Sequence, residues 1–482
     1  MPGRTRPQPR PTALATFHDA VEEAGLGPAQ LRLFGLAASV PLSAGLYMAA
    51  TSLVATSAAK DFGLGAAQRT TLLVSTHAGF SIGALLGGCA ADYAGRRLLV
   101  NTSLLALTAS GIAASQAPSW NVLLALTAVA SFSSGLGWPA TIALGSEVSP
   151  ACWRLFVRAV GDVCFDLGIA AAALLGSIQD PMLQELQWRP LLFGASVLPG
   201  VLGLLALTLL EESPAFLAAQ GVKDRTSLIL DWMQLLNGGG RSFVVENLRL
   251  QRNGEANHET LQPGIPMFNS GWRFVGYVAL LTAGCCFGLL CETGTFVHQQ
   301  IRRMMILPGV TAGRVASGTA LDVAVIALSA MLAGHIPRPK VLLFALIGGA
   351  VSIWCFGLAG TTHGGGEVAE WAFKLGLLGF HWVPAVGYLA LYQLAVEAFP
   401  TQAAATAAGV AVAGSQFGAM VTSDVLVSVG ADIGNWSFFC YALALSFSTA
   451  AFVSSRTLVP LWVEGEQETR PLLRGKTSGA VV

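Results

Sequence analysis

Residues 83–97 read GALLGGCAADYAGRR, and the fold prediction starts from this stretch. Its first nine residues are apolar or small, and Gly83 and Gly87 stand four residues apart, about one helical turn. Small residues let helix backbones approach closely in lipid, where packing drives association. The spacing therefore predicts a close helix contact, which we expect between helices from different halves of the chain.

The end of this stretch predicts a tight polar turn. Asp92 is followed three residues later by Gly95, and then by Arg96 and Arg97. A carboxylate at a helix end can cap backbone N–H groups or form an ion pair, and glycine permits a sharp reversal. We expect Arg96 and Arg97 to pair with acids or with lipid head groups.

The composition of the chain is that of a membrane protein. Its 482 residues are 53% hydrophobic and 11% charged, whereas a typical soluble domain carries about 25% charged residues. Lys plus Arg and Asp plus Glu are 27 each, so the zero net charge argues against a nucleic-acid partner. The eight Cys show no disulfide or zinc spacing, and no phosphate-binding Gly-Lys-Ser/Thr loop is present. We therefore expect no metal, no cofactor and no enzymatic activity.

Twelve apolar runs are long enough to cross a bilayer, which needs about 20 residues per helix. Their length and their lack of alternating polarity exclude a transmembrane barrel. A polar interruption divides them six and six, a plan typical of transporters built from two halves. The fold class predicted is an all-α membrane protein with twelve transmembrane helices in two six-helix halves. The predicted spans are 32–57, 69–90, 98–117, 121–145, 157–178, 190–210, 273–296, 312–335, 341–360, 369–394, 403–426 and 434–457.

Charge distribution predicts the orientation and the division of the chain. About three quarters of the Lys and Arg residues fall on the side of the N-terminus, with Arg154 and Arg158 counted in the loop between the fourth and fifth spans. The positive-inside rule therefore predicts that both termini are cytoplasmic. The predicted units are an N-terminal segment (1–30), an N-terminal half (31–210), a central cytoplasmic loop (211–272), a C-terminal half (273–457) and a tail (458–482).

The polar turn carries a resemblance to a known family. Asp92, Gly95, Arg96 and Arg97 after a glycine-rich helix end, between the second and third spans, resemble the loop signature of the major facilitator superfamily. The resemblance implies the two-half fold of that superfamily and transport by alternating access. It also implies a latch whose charges pair in one conformation and separate in the other. We expect a monomer in the lipid bilayer.

Further elements resemble particular branches of that superfamily. Those after the fourth, sixth and tenth spans look like loops of the sugar porter and organic ion transporter branches. The lead-in to the first span is similar to that of synaptic-vesicle-glycoprotein-like and organic cation/anion transporters. The resemblance implies a conformational switch made of Gly83, Gly87, Asp92, Gly95, Arg96, Arg97, Glu147, Arg154, Glu212 and Glu397. The elements are Glu147 with Arg154, 211–217 with Glu212, Glu397 to Thr401, and the lead-in 19–31.

The chain also departs from the branch pattern. The second-half counterpart of the polar turn, 333–340, lacks the acid. Helix one carries no acidic residue, although the branch often has one there. Gln416 stands where helix eleven of the branch often carries Arg, and it is retained as a solute-binding candidate. The missing Arg disfavours an anion as substrate, and the altered loop leaves the second-half latch in question.

Six ionisable residues of the predicted spans are candidates for function, because each costs about 2.5–3.5 kcal/mol on insertion. Asp162 and Asp166 share a helix face because they are four residues apart. The acids face no Lys or Arg at comparable depth, which predicts an electronegative cavity that attracts cations or holds protons. The alternative is that each is a helix-packing residue bonded to a neighbour. The six are Asp162, Asp166, Glu292, Asp322, His381 and Asp424.

Aromatic residues could line the same cavity. Trp138 before Pro139 and Trp382 before Pro384 occupy corresponding places in the two halves, and paired helix breaks point toward a binding site. Trp138 and Tyr388 could stack on a cationic ligand. Ordinary packing is the alternative for each.

These observations predict a secondary transporter of a small organic solute. An organic cation or a polar neutral solute is favoured, with or without proton coupling, and a sugar or an organic anion is the alternative substrate. A receptor, sensor or trafficking partner of the same fold is the alternative function. The solute- and proton-binding candidates are Asp166, Asp322, His381, Asp162, Glu292, Tyr388, Trp138 and Gln416.

Overall fold

A computed structural model describes residues 21–22, 24–183, 185–238, 271–304, 311–333, 336–361, 367–429 and 436–469. This part of the chain is helical and contains no β-strand. The helices are α1 (Pro28–Ala37), α2 (Ser39–Asp61), α3 (Ala66–Ala94), α4 (Arg96–Ser115), α5 (Trp120–Val148), α6 (Arg154–Gln179), α7 (Trp188–Leu209), α8 (Pro214–Ala219), α9 (Lys223–Leu236), α10 (Gly271–Met304), α11 (Ala312–Ala333), α12 (Arg338–Thr361), α13 (Glu367–Glu397), α14 (Ala404–Val429) and α15 (Trp436–Thr469).

The helices confirm a multi-pass membrane protein. Within the described residues, eleven helical segments are long and apolar enough to cross a membrane, and α1 and α2 together make the first. They coincide with the first eleven predicted spans. The twelfth predicted span lies on α15, which is not among the eleven. The orientation of the termini and the unit boundaries stay predictions.

Large apolar side chains cover the outer surface of the bundle. Leu204, Phe344 and Leu445 are each 60% exposed or more. A soluble protein rarely exposes so much contiguous apolar surface. In a membrane these side chains face lipid, and the backbone groups are paired inside each helix.

Gly83 and Gly87 make a contact within one half. A Cβ added at Gly83 would collide with the carbonyl oxygen of Phe132, and one at Gly87 with that of Leu136, both on α5. The expectation that these glycines join helices from different halves is therefore wrong. Glycine allows α3 and α5 of the first half to touch backbone to backbone.

The most extensive contacts between the two halves are those of α3 with α14 and of α6 with α11. The glycine contact between halves falls at Gly88 and Gly409. A Cβ at Gly88 would crowd the backbone of Ala405, and one at Gly409 would collide with the carbonyl oxygen of Ala84. The expected contact thus exists one residue away from the predicted position, on the neighbouring face of α3.

We call the end of the bundle that carries residues 92–97 the Arg96 face, and the end that carries loop 116–119 the opposite face. On the Arg96 face, Asn237 at the end of α9 anchors the lead-in to α1. Its amide nitrogen donates to the carbonyl oxygen of Ala24 at 3.1 Å and to Gln30 at 2.8 Å. Its oxygen accepts from the backbone N–H of Ala29 at 3.1 Å. The lead-in and α9 therefore form one unit beside the polar turn.

Candidate functional site

Arg96 is the centre of a polar network on the Arg96 face. Its side chain is fully buried. It donates to the carbonyl oxygen of Ala91 at 3.1 Å, to Asp92 at 3.2 Å and to Glu147 at 2.8 Å. It also donates to the carbonyl oxygen of Thr401 at 2.7 Å. Because Thr401 belongs to the second half, both halves stabilise this buried charge.

Asp92 carries the network across the interface. Its carboxylate accepts from the backbone N–H groups of Ala405 at 3.2 Å and Thr406 at 2.7 Å, and from the Thr406 hydroxyl at 2.7 Å. These residues form the first turn of α14, whose N–H groups have no partner inside the helix. A negative charge there also interacts favourably with the helix dipole. A first-half residue thus caps a second-half helix.

Glu212 holds the polar turn in place. Gly95 has a φ of +104°, a conformation that a side chain would strain. The Glu212 carboxylate accepts from the backbone N–H of Arg96 at 2.9 Å and from that of Arg97 at 3.2 Å. The segment that follows α7 is therefore tied to the turn between α3 and α4.

Glu147 links the same segment to α5. Besides accepting from Arg96, its carboxylate accepts from the Ser213 hydroxyl. Ser213 also caps α8, accepting from the backbone N–H of Phe216 at 3.3 Å. The branch-type elements after the fourth and sixth spans therefore share one carboxylate.

Arg97 and Arg154 lie at the margin of the network. Arg97 is more than a third exposed, and its guanidinium lies 4.0 Å from the carboxylate of Glu211. Arg154 donates to the carbonyl oxygen of Ser149 at 3.4 Å. Neither position resembles the buried site of Arg96.

The second half has its own charge pair at the corresponding loop. Nε of Arg338 lies 3.5 Å from the Glu397 carboxylate, although the loop lacks the expected acid. Glu397 also accepts from the Gln393 amide at 2.9 Å, and that amide donates to the Ser146 hydroxyl of the first half at 3.1 Å. Gln393 is therefore a second tie between the halves on this face. Residues 334–335 of the loop lie outside the described part.

Three of the six ionisable candidates lie together in the membrane interior. Nδ1 of His381 on α13 lies 3.0 Å from Oδ1 of Asp322 on α11. Asp166 on α6 is within electrostatic reach of Asp322 across the interface. All three side chains are half-buried. The arrangement brings two carboxylates and one imidazole together from three helices and from both halves of the chain.

Asp162 differs from the other acids because it has a basic partner. Arg158, one turn earlier on α6, donates to the Asp162 carboxylate, and its side chain is 4% exposed. The expectation that the acids face no Lys or Arg is therefore wrong for Asp162. Tyr392 of the second half covers the pair, with the guanidinium carbon of Arg158 5.1 Å from its ring centroid. The negative character of the interior rests on the other acids.

Trp138 and Tyr388 lie in separate aromatic clusters. Trp138 is 7% exposed and packs edge-on between Phe80 and Phe165, with centroid distances of 5.5 and 5.4 Å. Tyr388 stacks on Tyr392 at 5.4 Å. Trp138 is thus held by its first-half neighbours, whereas Tyr388 lies near the interior charges.

Glu292 and Gln416 meet at a histidine that the sequence interpretation did not select. Nδ1 of His77 on α3 lies 2.8 Å from Oε1 of Gln416, and its Nε2 lies 3.9 Å from Oε1 of Glu292. His77 falls inside the predicted span 69–90, so the rule that selected His381 would have found it.

Arg158 and Gln393 were also missed. Arg158 lies in the predicted span 157–178 and was counted with the loop before it. Gln393 is uncharged, and nothing in the sequence distinguishes it from any other amide side chain in a predicted span. Asp424 lies on α14, and its side chain is outside the described part.

Comparison with known proteins gives a consistent picture. The family model described as "Sugar (and other) transporter" matches residues 40–456. The transporter svop-1 of Caenorhabditis elegans is 26% identical over 210 residues, which is 44% of this chain and 39% of that protein. The 4-hydroxybenzoate transporter PcaK of Acinetobacter baylyi is 27% identical over 177 residues, which is 37% of this chain and 38% of that protein. The aligned regions therefore span about two fifths of these curated relatives.

A solved structure matches over nearly the whole length. It is the major facilitator superfamily proton:xylose symporter XylE bound to 6-bromo-6-deoxy-D-glucose. The TM-score is 0.65 at 17% sequence identity, covering 90% of this chain and 99% of that one. At this identity the likeness speaks for the fold alone.

Proposed function

The chain belongs to the sugar (and other) transporter family and has the major facilitator fold, and on that premise we propose that it moves a small organic solute by alternating access. The Arg96 network carries the proposal. Thr401, Ala405 and Thr406 can leave when the halves part, while Asp92 and Glu147 remain with Arg96. The buried charge of Arg96 then keeps a counter-charge, so the network can open without the free-energy cost of an unpaired buried charge.

The interior charges favour an organic cation or a polar neutral solute. Asp166 and Asp322 repel each other across the interface when both are ionised. A cationic group between them would relieve that repulsion, and a neutral polar solute would hydrogen-bond to them. Arg158 is occupied by Asp162, which disfavours an organic anion. A sugar remains within the polar neutral class.

Proton coupling is proposed at the same residues. A proton held by Asp166, Asp322 and His381 allows the two carboxylates to stay close in the absence of a cation. Release of this proton restores the negative charge that attracts a cation. Since Asp166 and Asp322 belong to different halves, each step of this exchange also changes the attraction between the halves.

Uptake by the purified full-length chain in liposomes tests the proposal. Labelled tetraethylammonium, xylose and 4-hydroxybenzoate would be compared with and without an inward proton gradient. Asp166→Asn and Asp322→Asn should each lower uptake by about tenfold or more, the loss expected from one charged contact. Asp224→Asn, an exposed acid of α9, is the matched control and should transport at the wild-type rate.

Two outcomes would contradict the proposal. Wild-type uptake in both interior variants would remove Asp166 and Asp322 from the solute and proton path. Solute-dependent thermal stabilisation without uptake of any compound would instead favour a receptor or sensor of the same fold.

A further inference from the structure

The seam between α3 and α14 is held by polar contacts at several levels. At the Arg96 face, Asp92 caps the first turn of α14. Further along, the Ser81 hydroxyl donates to the carbonyl oxygen of Ala413 at 3.0 Å. His77 then meets Gln416 at 2.8 Å. The 15 residues from Asp92 to His77 span about 22 Å of helix, so His77 lies well toward the opposite face.

His77 is a titratable group in this seam, and it contacts two second-half helices. Its Nδ1 faces Gln416 on α14 and its Nε2 faces Glu292 on α10. His77 is 13% exposed and Glu292 is 32% exposed. Among the described side chains, Glu292 is the charged group that faces the ring, and Cys291 and Tyr388 lie beside Glu292.

The contacts of His77 leave a place for one extra proton between its ring and Glu292. The carbonyl oxygen of Gln416 faces Nδ1, so Nδ1 is the donor and a neutral ring presents a bare Nε2 to Glu292. An ionised Glu292 also offers only lone pairs, and two acceptors repel. A proton on Nε2 or on the carboxylate turns the repulsion into attraction.

We propose that His77 and Glu292 form a proton-binding site that, together with Gln416, ties the two halves on the side of the opposite face. Uptake of a proton closes this part of the interface, and its loss lets the halves part. The tie differs in place from the proposed proton exchange at Asp166, Asp322 and His381, because it joins α3 to α10 and α14. A backbone hydrogen bond also joins the halves on that face, from the Ala312 N–H to the carbonyl oxygen of Pro181, and at 3.4 Å it is long.

Spin-label distances across the opposite face test this site without transport. The labels would be attached through Ser119→Cys in the first half and Val368→Cys in the second, because both positions are exposed on that face. The exposed Cys152 would be replaced by Ser in the full chain, reconstituted in lipid nanodiscs without solute. Between about pH 8 and pH 5.5 the population with the shorter distance should rise, by up to about tenfold per pH unit for one bound proton.

His77→Gln and Glu292→Gln should each remove this pH response. The same shift retained in His77→Gln, or absent from the wild type, would overturn the proposal. If His77 and Glu292 had only a structural role, their replacement would change the distance between the labels at every pH, and the distance would still respond to pH. His381→Gln is the comparator. Loss of the response there, with retention in His77→Gln, would assign it to the interior charges and also overturn the proposal.

Discussion

The two halves of the molecule carry corresponding loops on the Arg96 face, and the loops hold their arginines differently. Arg96 of the first half is fully buried and has four acceptors from three segments of the chain. Arg338 of the second half is 15% exposed and pairs with Glu397 at 3.5 Å. The first-half loop therefore contributes more to holding the Arg96 face closed than the second-half loop does.

Burial explains why loss of the partners of Arg96 and of Arg338 has different consequences for stability. A buried guanidinium that loses its partners remains unsolvated, whereas one near the surface can take up water. The second-half loop lacks the acid, and among the described residues Arg338 pairs with Glu397. Gln393 adds an uncharged contact to Ser146 of the first half. The comparison predicts unequal effects of matched substitutions.

Arg96→Ala should have the largest effect. It leaves Asp92 and Glu147 buried without their counter-charge, which costs about 3–5 kcal/mol when one partner of a buried pair is removed. A marked fall in the thermal unfolding midpoint and a loss of uptake are expected. Arg97→Ala is the control and should cost at most about 1 kcal/mol, since Arg97 is exposed. Equal midpoints for the two variants would contradict the central place of Arg96.

Gly83→Ala and Gly88→Ala should separate folding from closure. Overpacking costs about 1–3 kcal/mol, but the two clashes are relieved differently. At Gly83 the clash lies inside the first half, so the unfolding midpoint should fall. At Gly88 the clash is relieved when the halves part, so the Arg96 face should open instead. Labels on exposed Cys152 and on Lys340→Cys would measure that opening.

The Gly83 and Gly88 comparison has a clear failing outcome. If both variants lowered the midpoint equally and neither lengthened the distance between the two labels, the seam between α3 and α14 would be a permanent contact. Alternating access at this interface would then lose its support.

Arg338→Ala should have the smallest effect of the three. Loss of one partly exposed ion pair should lower the unfolding free energy by about 1 kcal/mol. Slower uptake with unchanged solute binding is expected. Lys340→Ala, an exposed position two residues on, is the matched control. A loss as large as that of Arg96→Ala would show that the two loops are equivalent.

Much of the fold was open to prediction because lipid restricts the choices. Backbone groups in hydrocarbon must be paired within the chain, so each long apolar run had to be a helix. The interruption at 211–272 then divided the runs into two groups. The polar turn was equally readable, since Gly95 takes a backbone conformation that favours glycine and Asp92 stands at a helix end.

The partners of the site residues were less accessible, as Gly83 and Asp162 show. The sequence places Gly83 on a helix, but whether α5 or α14 covers it depends on how α3 is rotated. Arg158 stands one turn from Asp162 and was assigned to the loop, because helix ends are the least certain part of such a prediction.

By itself, the sequence determined that this chain crosses a membrane as two groups of helices joined by a polar segment, because composition and hydropathy decide solvation. Only the tertiary structure decided which charges share a partner: Arg96 with both halves, Arg158 with Asp162, and His77 with Glu292 and Gln416. The physical reason is that these contacts join helices far apart in the chain. Their formation depends on the depth and rotation of each helix, which local sequence patterns do not encode.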